Sequence, residues 1–328
     1  MTDTAWTSLP KAVHHCAHAE LGAPITSWSD AVTAVQRPAD RPAGIARTAT
    51  GDALFLKAAR TTDPFGLDYR AEAQLAAVLP AGVPTPRLRL AVEDEGWIVL
   101  GFDVATGYQP TEPWLPQQLR AVLAALDAAA PLLTPAPLST LPTVAERMAG
   151  RCSTYGDLAR TGHRDELHLE HLSDFERRHL ERLVTLEESW KQAAAGDVLL
   201  HFDLRHDNVM LSQRADGADD IDCAANAAGN PAMTLLDWGR ACTGQAWIDT
   251  ACLLLLSDTG SVQPEDAFVA SSRGAGADPW AVDSFLVALA SYWRHAAARP
   301  VPLQSAQAQA RRHASGEASV RWLRTRWV

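Results

Sequence analysis

The stretch HFDLRHDNVML, residues 201–211, places four polar side chains before an apolar end. Asp203 and Asn208 are five positions apart, the spacing of a protein-kinase catalytic loop, and His201 stands two residues before the aspartate. Such a loop can direct a carboxylate at a substrate hydroxyl and an amide oxygen at a metal ion. Taken alone, the same pair is equally compatible with turn residues that cap a helix.

A second candidate metal ligand follows a hydrophobic strand further along the chain. TLLDWGR, residues 234–240, places Asp237 before Trp238 and Gly239, where a protein kinase has D-F-G. Mg²⁺ is a hard cation that prefers oxygen ligands. The amide oxygen of Asn208 and the carboxylate of Asp237 are therefore the predicted magnesium ligands.

Two upstream residues fit the pair that positions nucleotide phosphates in kinases. Lys57 lies in the strand pattern LFLKAAR, and Glu72 lies in the helical pattern YRAEAQLAAVL over 69–79. Each is weak alone, because strand lysines and exposed helix acids are common. The order of lysine on a strand, glutamate on the next helix, H-x-D-x-x-x-x-N and then D-x-G indicates a kinase far more strongly than any single motif.

The character of the sequence changes near residue 103. Before it, short β-rich runs predict a sheet with one helix over 69–79, and after it alanine- and leucine-rich patterns predict mostly helix. We therefore predict a small nucleotide-binding lobe over 1–103, a hinge near 99–105 and a larger helical lobe over 106–328. The predicted strands lie near 25, near 44, at 53–59 and at 97–102, and the further predicted helices at 115–129, 173–195 and 279–297.

Two other groups of side chains could suggest metal binding. The acidic stretch over 212–232 does not have the spacing of a calcium loop, and we interpret it as an insertion between two strands. His14 and His18 share one helical face at i, i+4, but no glutamate lies between them and no third ligand is evident. A metal role is the less favoured interpretation of both groups.

Composition narrows the class of protein. A formal net charge of −10 argues against nonspecific nucleic-acid binding, and the longest apolar run is far too short to cross a membrane. The five cysteines form no C-x-x-C pattern and indicate reduced thiols. We predict a cytoplasmic protein with no nucleic-acid or membrane partner.

The motifs together resemble the aminoglycoside phosphotransferase family of protein-kinase-like small-molecule kinases. HFDLRHDNVML resembles the family's H-G-D-x-x-x-x-N-x-L loop, LLDWGRACTGQAWIDTACLL its I-D-W-x-x-A-x-x-G-x-x-x-x-D-L-A segment, and AGVPTPRLR its G-V-P-x-P. The resemblance spans most of the chain. It implies an α+β, bilobal protein-kinase-like fold with a β-rich N-terminal lobe.

The resemblance also implies roles for individual residues. Asp203 corresponds to the catalytic aspartate, and Asp249 to a structural residue that holds the catalytic loop. The backbone around Val99–Asp103 corresponds to the segment that holds the purine. The residues that it assigns to magnesium are Asn208 and Asp237, those assigned to the phosphates are Lys57 and Glu72, and those of the purine segment include Val99, Leu100 and Phe102.

The sequence departs from the family pattern at two places. Phe202 replaces the glycine of H-G-D, which raises the question of the local backbone geometry. RPADRPAG, residues 37–44, falls where a phosphate-covering loop is expected, yet no G-x-G-x-x-G is present.

The resulting hypothesis is a magnesium-dependent kinase that transfers the γ-phosphoryl of ATP, or GTP, to a hydroxyl of a small molecule. Antibiotics, amino alcohols and sugars are all compatible acceptors. An aminoglycoside would require acids in the acceptor site, for which Asp258, Glu265 and Asp266 are candidates. The alternative is a pseudokinase scaffold that binds nucleotide or a partner without phosphoryl transfer.

Overall fold

The computed structural model describes residues 4–31, 41–161, 172–212, 233–299 and 306–327. The strands are β1 (Ile25–Asp30), β2 (Ala43–Thr48), β3 (Ala53–Arg60), β4 (Leu88–Asp94), β5 (Trp97–Phe102), β6 (Val198–Leu200), β7 (Val209–Leu211), β8 (Met233–Leu235) and β9 (Cys242–Gly244). The helices are α1 (Thr4–Thr7), α2 (Lys11–Leu21), α3 (Pro64–Ala76), α4 (Pro116–Ala129), α5 (Val144–Arg147), α6 (Thr154–Thr161), α7 (Asp174–Arg178), α8 (Leu180–Ala193), α9 (Trp247–Leu256), α10 (Pro264–Ala270), α11 (Ser272–Ala275), α12 (Pro279–Ala298) and α13 (Ala306–Arg326).

The chain divides into two compact units. The first contains Met1–Thr111 and Arg205–Ala241, and the second contains Glu112–Leu204 and Cys242–Val328. Residues 201–211, the predicted catalytic-loop stretch, therefore begin in the second unit and end in the first. The predicted lobe boundary near residue 103 rests on composition along the chain and stays a prediction.

The first unit is built on a five-stranded antiparallel sheet in the order β1-β2-β3-β5-β4. The four predicted strands of this region are confirmed. Sequence reasoning did not predict β4, in which only Leu90 is buried. Leu88, Leu90 and Val92 alternate with Arg89, Ala91 and Glu93, so the period-2 signal of a strand is present in this stretch.

Side chains alternate between the two faces of the sheet and form two cores. On one face, Leu56 and Val99 pack in a buried cluster with Val13 of α2. On the other, Leu100 packs with Tyr69 of α3. Successive residues of a strand point to opposite faces, so β3 and β5 each contribute to both cores.

Helix α3 begins five residues earlier than the predicted helix over 69–79. The Asp63 side chain accepts a hydrogen bond of 2.8 Å from the Phe65 backbone N–H, and Pro64 occupies the first helical position. Aspartate before proline is a strong start signal, because the carboxylate satisfies a free N–H and proline has none to satisfy. The helix carries Glu72 on its buried side.

Strands β7 and β8 form an antiparallel ribbon in the first unit, with Val209 opposite Leu235. VML, residues 209–211, thus pairs with the strand before Asp237. The predicted insertion over 212–232 lies outside the described residues except for Ser212.

The second unit is mostly helical, with one small ribbon of β6 and β9. Helix α12 packs against α8 and α13. The predicted helices at 115–129 and 279–297 are confirmed by α4 and α12. The predicted helix over 173–195 is two helices, α7 and α8, which are separated at His179, where φ is −112°.

The predicted α+β class is confirmed by this arrangement of an antiparallel sheet followed by helices. In the parts of the chain that the structure describes, no helix is both long and apolar enough to cross a membrane.

Candidate active site

Lys57 is held at the centre of an ion-pair cluster in the first unit. It lies on β3 directly opposite Leu100 of β5, so its side chain points to the face covered by α3. Its Nζ is 2.5 Å from Glu72 Oε2 and 2.8 Å from Asp237 Oδ1. The structure thus brings together three of the residues that the sequence selected, although Asp237 is 180 positions from Lys57.

Aromatic rings complete the surroundings of the Lys57 ammonium. Its Nζ lies 4.8 Å from the centroid of the Tyr69 ring and 5.5 Å from that of Phe102. The side chain of Lys57 is only 3% exposed. Ring faces attract a cation, so they offset part of the cost of removing the ammonium from water.

The charges of the cluster shift its pKa values strongly. Burial by itself lowers the pKa of Lys57, but attraction from Asp237 and Glu72 outweighs burial and raises that pKa above 10.5. Burial raises the pKa of Glu72 from 4.5 to about 7, Lys57 opposes this rise, and the nearby Asp237 carboxylate adds to it. Lys57 therefore stays protonated, while two carboxyl groups compete for its single positive charge.

Asp237 adopts a left-handed backbone conformation, with φ of 65° and ψ of 67°. It precedes a 3₁₀ turn, Trp238–Arg240, and the Trp238 backbone N–H donates a hydrogen bond to the Glu72 carboxylate. A Cβ on Gly239 would lie 3.2 Å from Asp68 Cβ. The glycine therefore allows the turn to approach α3 closely, and this approach places Asp237 beside Lys57.

Asn208 ends a short 3₁₀ turn, His206–Asn208, and is 5% exposed. Its backbone N–H donates to the Arg205 carbonyl at 3.0 Å, and its own carbonyl accepts from the Leu236 N–H at 2.9 Å. Asn208 directly precedes β7, and Asp237 follows β8 by two residues. The two predicted metal ligands therefore flank the same end of one ribbon.

The donor atoms of Asn208 and Asp237 suit Mg²⁺, since both are oxygens. Among the described residues no group of three His, Cys, Asp or Glu side chains is placed to hold a metal ion. A site made from one amide and one carboxylate needs further oxygens, which nucleotide phosphates and water supply in kinases. At the alternative site, His14 is engaged with Trp6: its Nε2 lies 3.0 Å from the Trp6 carbonyl oxygen and the rings are stacked.

The first part of the catalytic-loop stretch belongs to the second unit and is held by Asp249 of α9. The His201 and Phe202 backbone N–H groups donate to the two Asp249 carboxylate oxygens at 2.8 and 2.9 Å. Asp249 is 1% exposed. The structural role expected of this aspartate is therefore borne out by its contacts.

The His201 ring is buried and accepts a hydrogen bond at Nδ1 from the Asp203 backbone N–H at 3.3 Å. This contact supports the loop through the ring, and Nδ1 must be unprotonated to accept it. Asp203 itself is partly exposed. Its role as the catalytic aspartate stays a prediction.

The backbone conformation of Phe202 explains how this residue replaces the glycine of H-G-D. Its φ is 61°, in the left-handed region that glycine adopts at little cost. The loop therefore keeps the backbone conformation that suits glycine at this position, despite the aromatic side chain. The hydrogen bonds of the His201 and Phe202 N–H groups to Asp249 lie before this φ angle, and that of the Asp203 N–H to the His201 ring lies after it. Together they hold the strained conformation.

Val99, Leu100 and Phe102 lie on β5, and all three are buried. Strand β5 pairs with β3 on one side and β4 on the other. Most backbone N–H and C=O groups of a central strand form hydrogen bonds with the neighbouring strands. Backbone groups that could bind a purine are therefore expected only beyond the end of β5. The next residue, Asp103, donates its N–H to the Arg87 carbonyl at 3.0 Å.

The segment that follows β5 makes contacts that sequence reasoning missed. The Tyr108 N–H donates to the Leu211 carbonyl at 3.0 Å, and the Leu211 N–H donates to the Tyr108 carbonyl at 2.7 Å. The Gln109 side chain donates from Nε2 to the Asp207 carbonyl at 3.2 Å. The only sequence signal here is Gly107, whose φ is 113°.

The acids considered for a cationic acceptor differ in their surroundings. Glu265 accepts hydrogen bonds from Arg326 and from the Trp322 indole N–H, with the shortest Arg326 contact at 2.6 Å. Asp258 accepts from the Gly260 N–H at 3.1 Å, and Asp266 is exposed. The Glu265 carboxylate is thus already bound by Arg326 and Trp322 of the same chain.

A model of the phosphotransferase enzyme family matches residues 45–286. The match covers well over half of the 328 residues and includes every predicted site residue. No curated protein matches the chain in sequence.

Several solved structures are similar in fold. A spectinomycin phosphotransferase in complex with ADP and spectinomycin has a TM-score of 0.58 at 10% identity, and covers 97% of this chain and 94% of its own. An amicoumacin kinase in complex with AMP-PNP, Ca²⁺ and Ami has a TM-score of 0.57 at 12% identity, with coverage of 98% and 96%. A macrolide 2′-phosphotransferase from Brachybacterium faecium has a TM-score of 0.52 at 18% identity, with coverage of 94% and 98%. These similarities confirm the kinase-like fold.

Proposed function

The chain belongs to the phosphotransferase enzyme family, and from that premise we propose that it is a kinase that phosphorylates a hydroxyl of a small molecule. The observation that carries the proposal is the buried cluster of Lys57, Glu72 and Asp237. A lysine on a central strand, held between a helix acid and the acid of D-x-G, is the arrangement that kinases use at nucleotide phosphates.

In the proposed complex Lys57 contacts the nucleotide phosphates, and Glu72 holds the ammonium in place. Burial on β3 fixes the lysine stem, and the cation keeps its proton because its pKa is raised. An ammonium that is already oriented and desolvated binds a polyanion at a lower cost in ordering than a mobile surface lysine.

Asn208 and Asp237 are the residues that would hold Mg²⁺. When bound, the ion neutralises charge on the phosphates as the γ-phosphoryl group is transferred. Both residues flank one end of the β7–β8 ribbon and present oxygen donors. Asp237 also contacts Lys57, so the same carboxylate belongs to both the proposed phosphate site and the proposed metal site.

Asp203 is the proposed catalytic base. The acceptor hydroxyl oxygen attacks the γ-phosphorus, the bond to the β–γ bridging oxygen breaks, and ADP or GDP leaves. The hydroxyl proton passes to the Asp203 carboxylate, with a contribution on the order of 10²- to 10⁴-fold in rate. Because Asp249 and His201 hold the adjacent backbone, the carboxylate is supported by a rigid loop.

The proposed purine site is the backbone that follows β5. Val99, Leu100 and Phe102 would form its apolar support, and the first groups beyond the strand would supply hydrogen bonds. Backbone groups can read the edge of a purine without a specific side chain, and this is consistent with either ATP or GTP as donor.

Among possible acceptors, an antibiotic has support from the fold relatives, several of which are named for antibiotics. Amino alcohols and sugars belong to the same proposal, because the fold alone does not select an acceptor. Glu265 is paired with Arg326, so it is not a ready ligand for the amines of an aminoglycoside.

The test is mass spectrometry of a pooled panel of aminoglycosides, macrolides, nucleoside antibiotics and amino alcohols, incubated with ATP or GTP and Mg²⁺. We expect one compound to gain the mass of a single phosphoryl group with the unmodified protein and none to gain it with Asp203→Ala. Nucleotide binding is measured in parallel, as thermal stabilisation of the protein by ATP with and without Mg²⁺. Absence of both product and nucleotide binding would overturn the proposal in favour of a pseudokinase scaffold.

A further inference from the structure

The segment after β5 and the turn that carries Asn208 are connected within the first unit. Tyr108 and Leu211 exchange two backbone hydrogen bonds at 3.0 and 2.7 Å. A Cβ on Gly107 would collide with the Leu211 carbonyl oxygen, so this close approach requires glycine. The proposed purine-binding segment is thus joined to the strand that begins directly after the metal-ligand turn.

Gln109 adds a side-chain contact at the turn itself. Its Nε2 donates to the carbonyl of Asp207, the residue directly before Asn208, at 3.2 Å. On the other side of the same turn, the Leu236 N–H donates to the Asn208 carbonyl at 2.9 Å. The peptide on each side of the Asn208 α-carbon therefore has an anchor from a different part of the chain.

We propose that Gln109 is a positioning residue that sets the orientation of Asn208 for metal binding from the segment next to the purine site. The inference rests on the proposed function. A three-residue 3₁₀ turn has few internal hydrogen bonds, so external bonds determine its orientation. Loss of the Gln109 bond lets the Asp207–Asn208 peptide rotate and moves the amide oxygen away from the metal position.

The consequence is specific to the metal. Gln109→Met removes the amide donor, keeps a flexible side chain of similar size and adds no charge. We expect the Mg²⁺ concentration that gives half-maximal ATP-dependent stabilisation to rise about fivefold, the change that corresponds to the net value of one hydrogen bond. Binding of ATP without Mg²⁺ should stay unchanged.

A matched control is available in the second unit. Gln309 on α13 donates from Nε2 to the Ala297 carbonyl at 2.5 Å, the same type of contact outside the proposed site. Gln309→Met makes the same chemical change and should leave the Mg²⁺ dependence at the value of the unmodified protein. Gly107→Ala disturbs the close approach of the same segment to Leu211. This second variant should raise the Mg²⁺ requirement as Gln109→Met does.

The experiment is a titration of Mg²⁺ at fixed ATP, followed by thermal unfolding and by isothermal titration calorimetry, on the unmodified protein and the three variants. An increased Mg²⁺ requirement confined to the Gln109 and Gly107 variants supports the proposal. An unchanged requirement, or a parallel loss of Mg²⁺-free ATP binding, overturns it. A lack of Mg²⁺-dependent ATP binding by the unmodified protein would instead overturn the proposed function as well.

Discussion

At the scale of single residues, the charge balance around Lys57 makes the stability of the protein sensitive to substitution at this cluster. One ammonium faces two carboxyl groups, of which Glu72 is as deeply buried as the lysine. Removal of one partner from a buried ion pair leaves an uncompensated group and is far more costly than replacement of the whole pair. This asymmetry makes the cluster testable by stability alone.

Lys57→Met should lower the free energy of unfolding by about 3 kcal/mol, because Glu72 loses its buried partner. The double variant Lys57→Met with Glu72→Gln should recover part of that loss, since no buried charge remains. Urea denaturation at pH 8 measures both values. Equal stability of the single and double variants would contradict the pairing.

The raised pKa of Glu72 predicts a pH dependence with a definite sign. Because burial raises this pKa from 4.5 to about 7, the folded chain binds a proton that the unfolded chain releases between these values. The stabilising contribution is therefore complete below pH 4.5 and is lost as the pH rises through about 7. We expect Glu72→Gln to reduce the loss of stability between pH 5 and pH 8, measured by urea denaturation. A steeper loss in the variant would show that the sign is wrong.

Phe202 predicts an unusual order of stability between two small replacements. Glycine and alanine both remove the ring, but alanine keeps a Cβ at a φ of 61°. Phe202→Gly should therefore be more stable than Phe202→Ala by about 1 kcal/mol. Thermal unfolding gives the comparison, and a more stable alanine variant would argue against the left-handed conformation.

At the scale of elements, much of the first unit could be predicted from local patterns. β3 and β5 contain unbroken buried runs. In the second unit, the alanine- and leucine-rich sequences of α4 and α12 likewise predict helices. The start of α3 was missed because its first turn depends on a cap and a proline and not on periodicity. Local signals therefore identify elements better than their ends.

Helix α9 contacts the catalytic-loop stretch directly through the carboxylate of Asp249. Asp249→Asn leaves one carbonyl oxygen but places an amide NH₂ group against a backbone N–H of His201 or Phe202. Because Asp203 directly follows these residues, kcat should fall by at least tenfold while ATP affinity changes little. Steady-state kinetics with the acceptor found in the panel tests this, and a change confined to KM for ATP would contradict it.

At the scale of the whole molecule, the contacts that create the candidate site join distant parts of the sequence. Lys57 and Asp237 are 180 positions apart, and Gln109 and Asp207 are 98 apart. The first contact could be predicted because both residues belong to motifs with a known order. The second could not, since a backbone carbonyl is the same in every residue type and leaves no mark in the sequence.

The central claim is that Asp203 assists transfer of the γ-phosphoryl group. Its most direct test needs no knowledge of the acceptor, because water can replace the hydroxyl in slow nucleotide hydrolysis. Release of inorganic phosphate from ATP is measured for the unmodified protein and for Asp203→Asn, with ATP binding determined in parallel. The account predicts Mg²⁺-dependent release that falls on the order of 10²-fold or more in the variant while ATP binding is retained. Equal rates for the two proteins, or no Mg²⁺-dependent release from the unmodified protein, would contradict it.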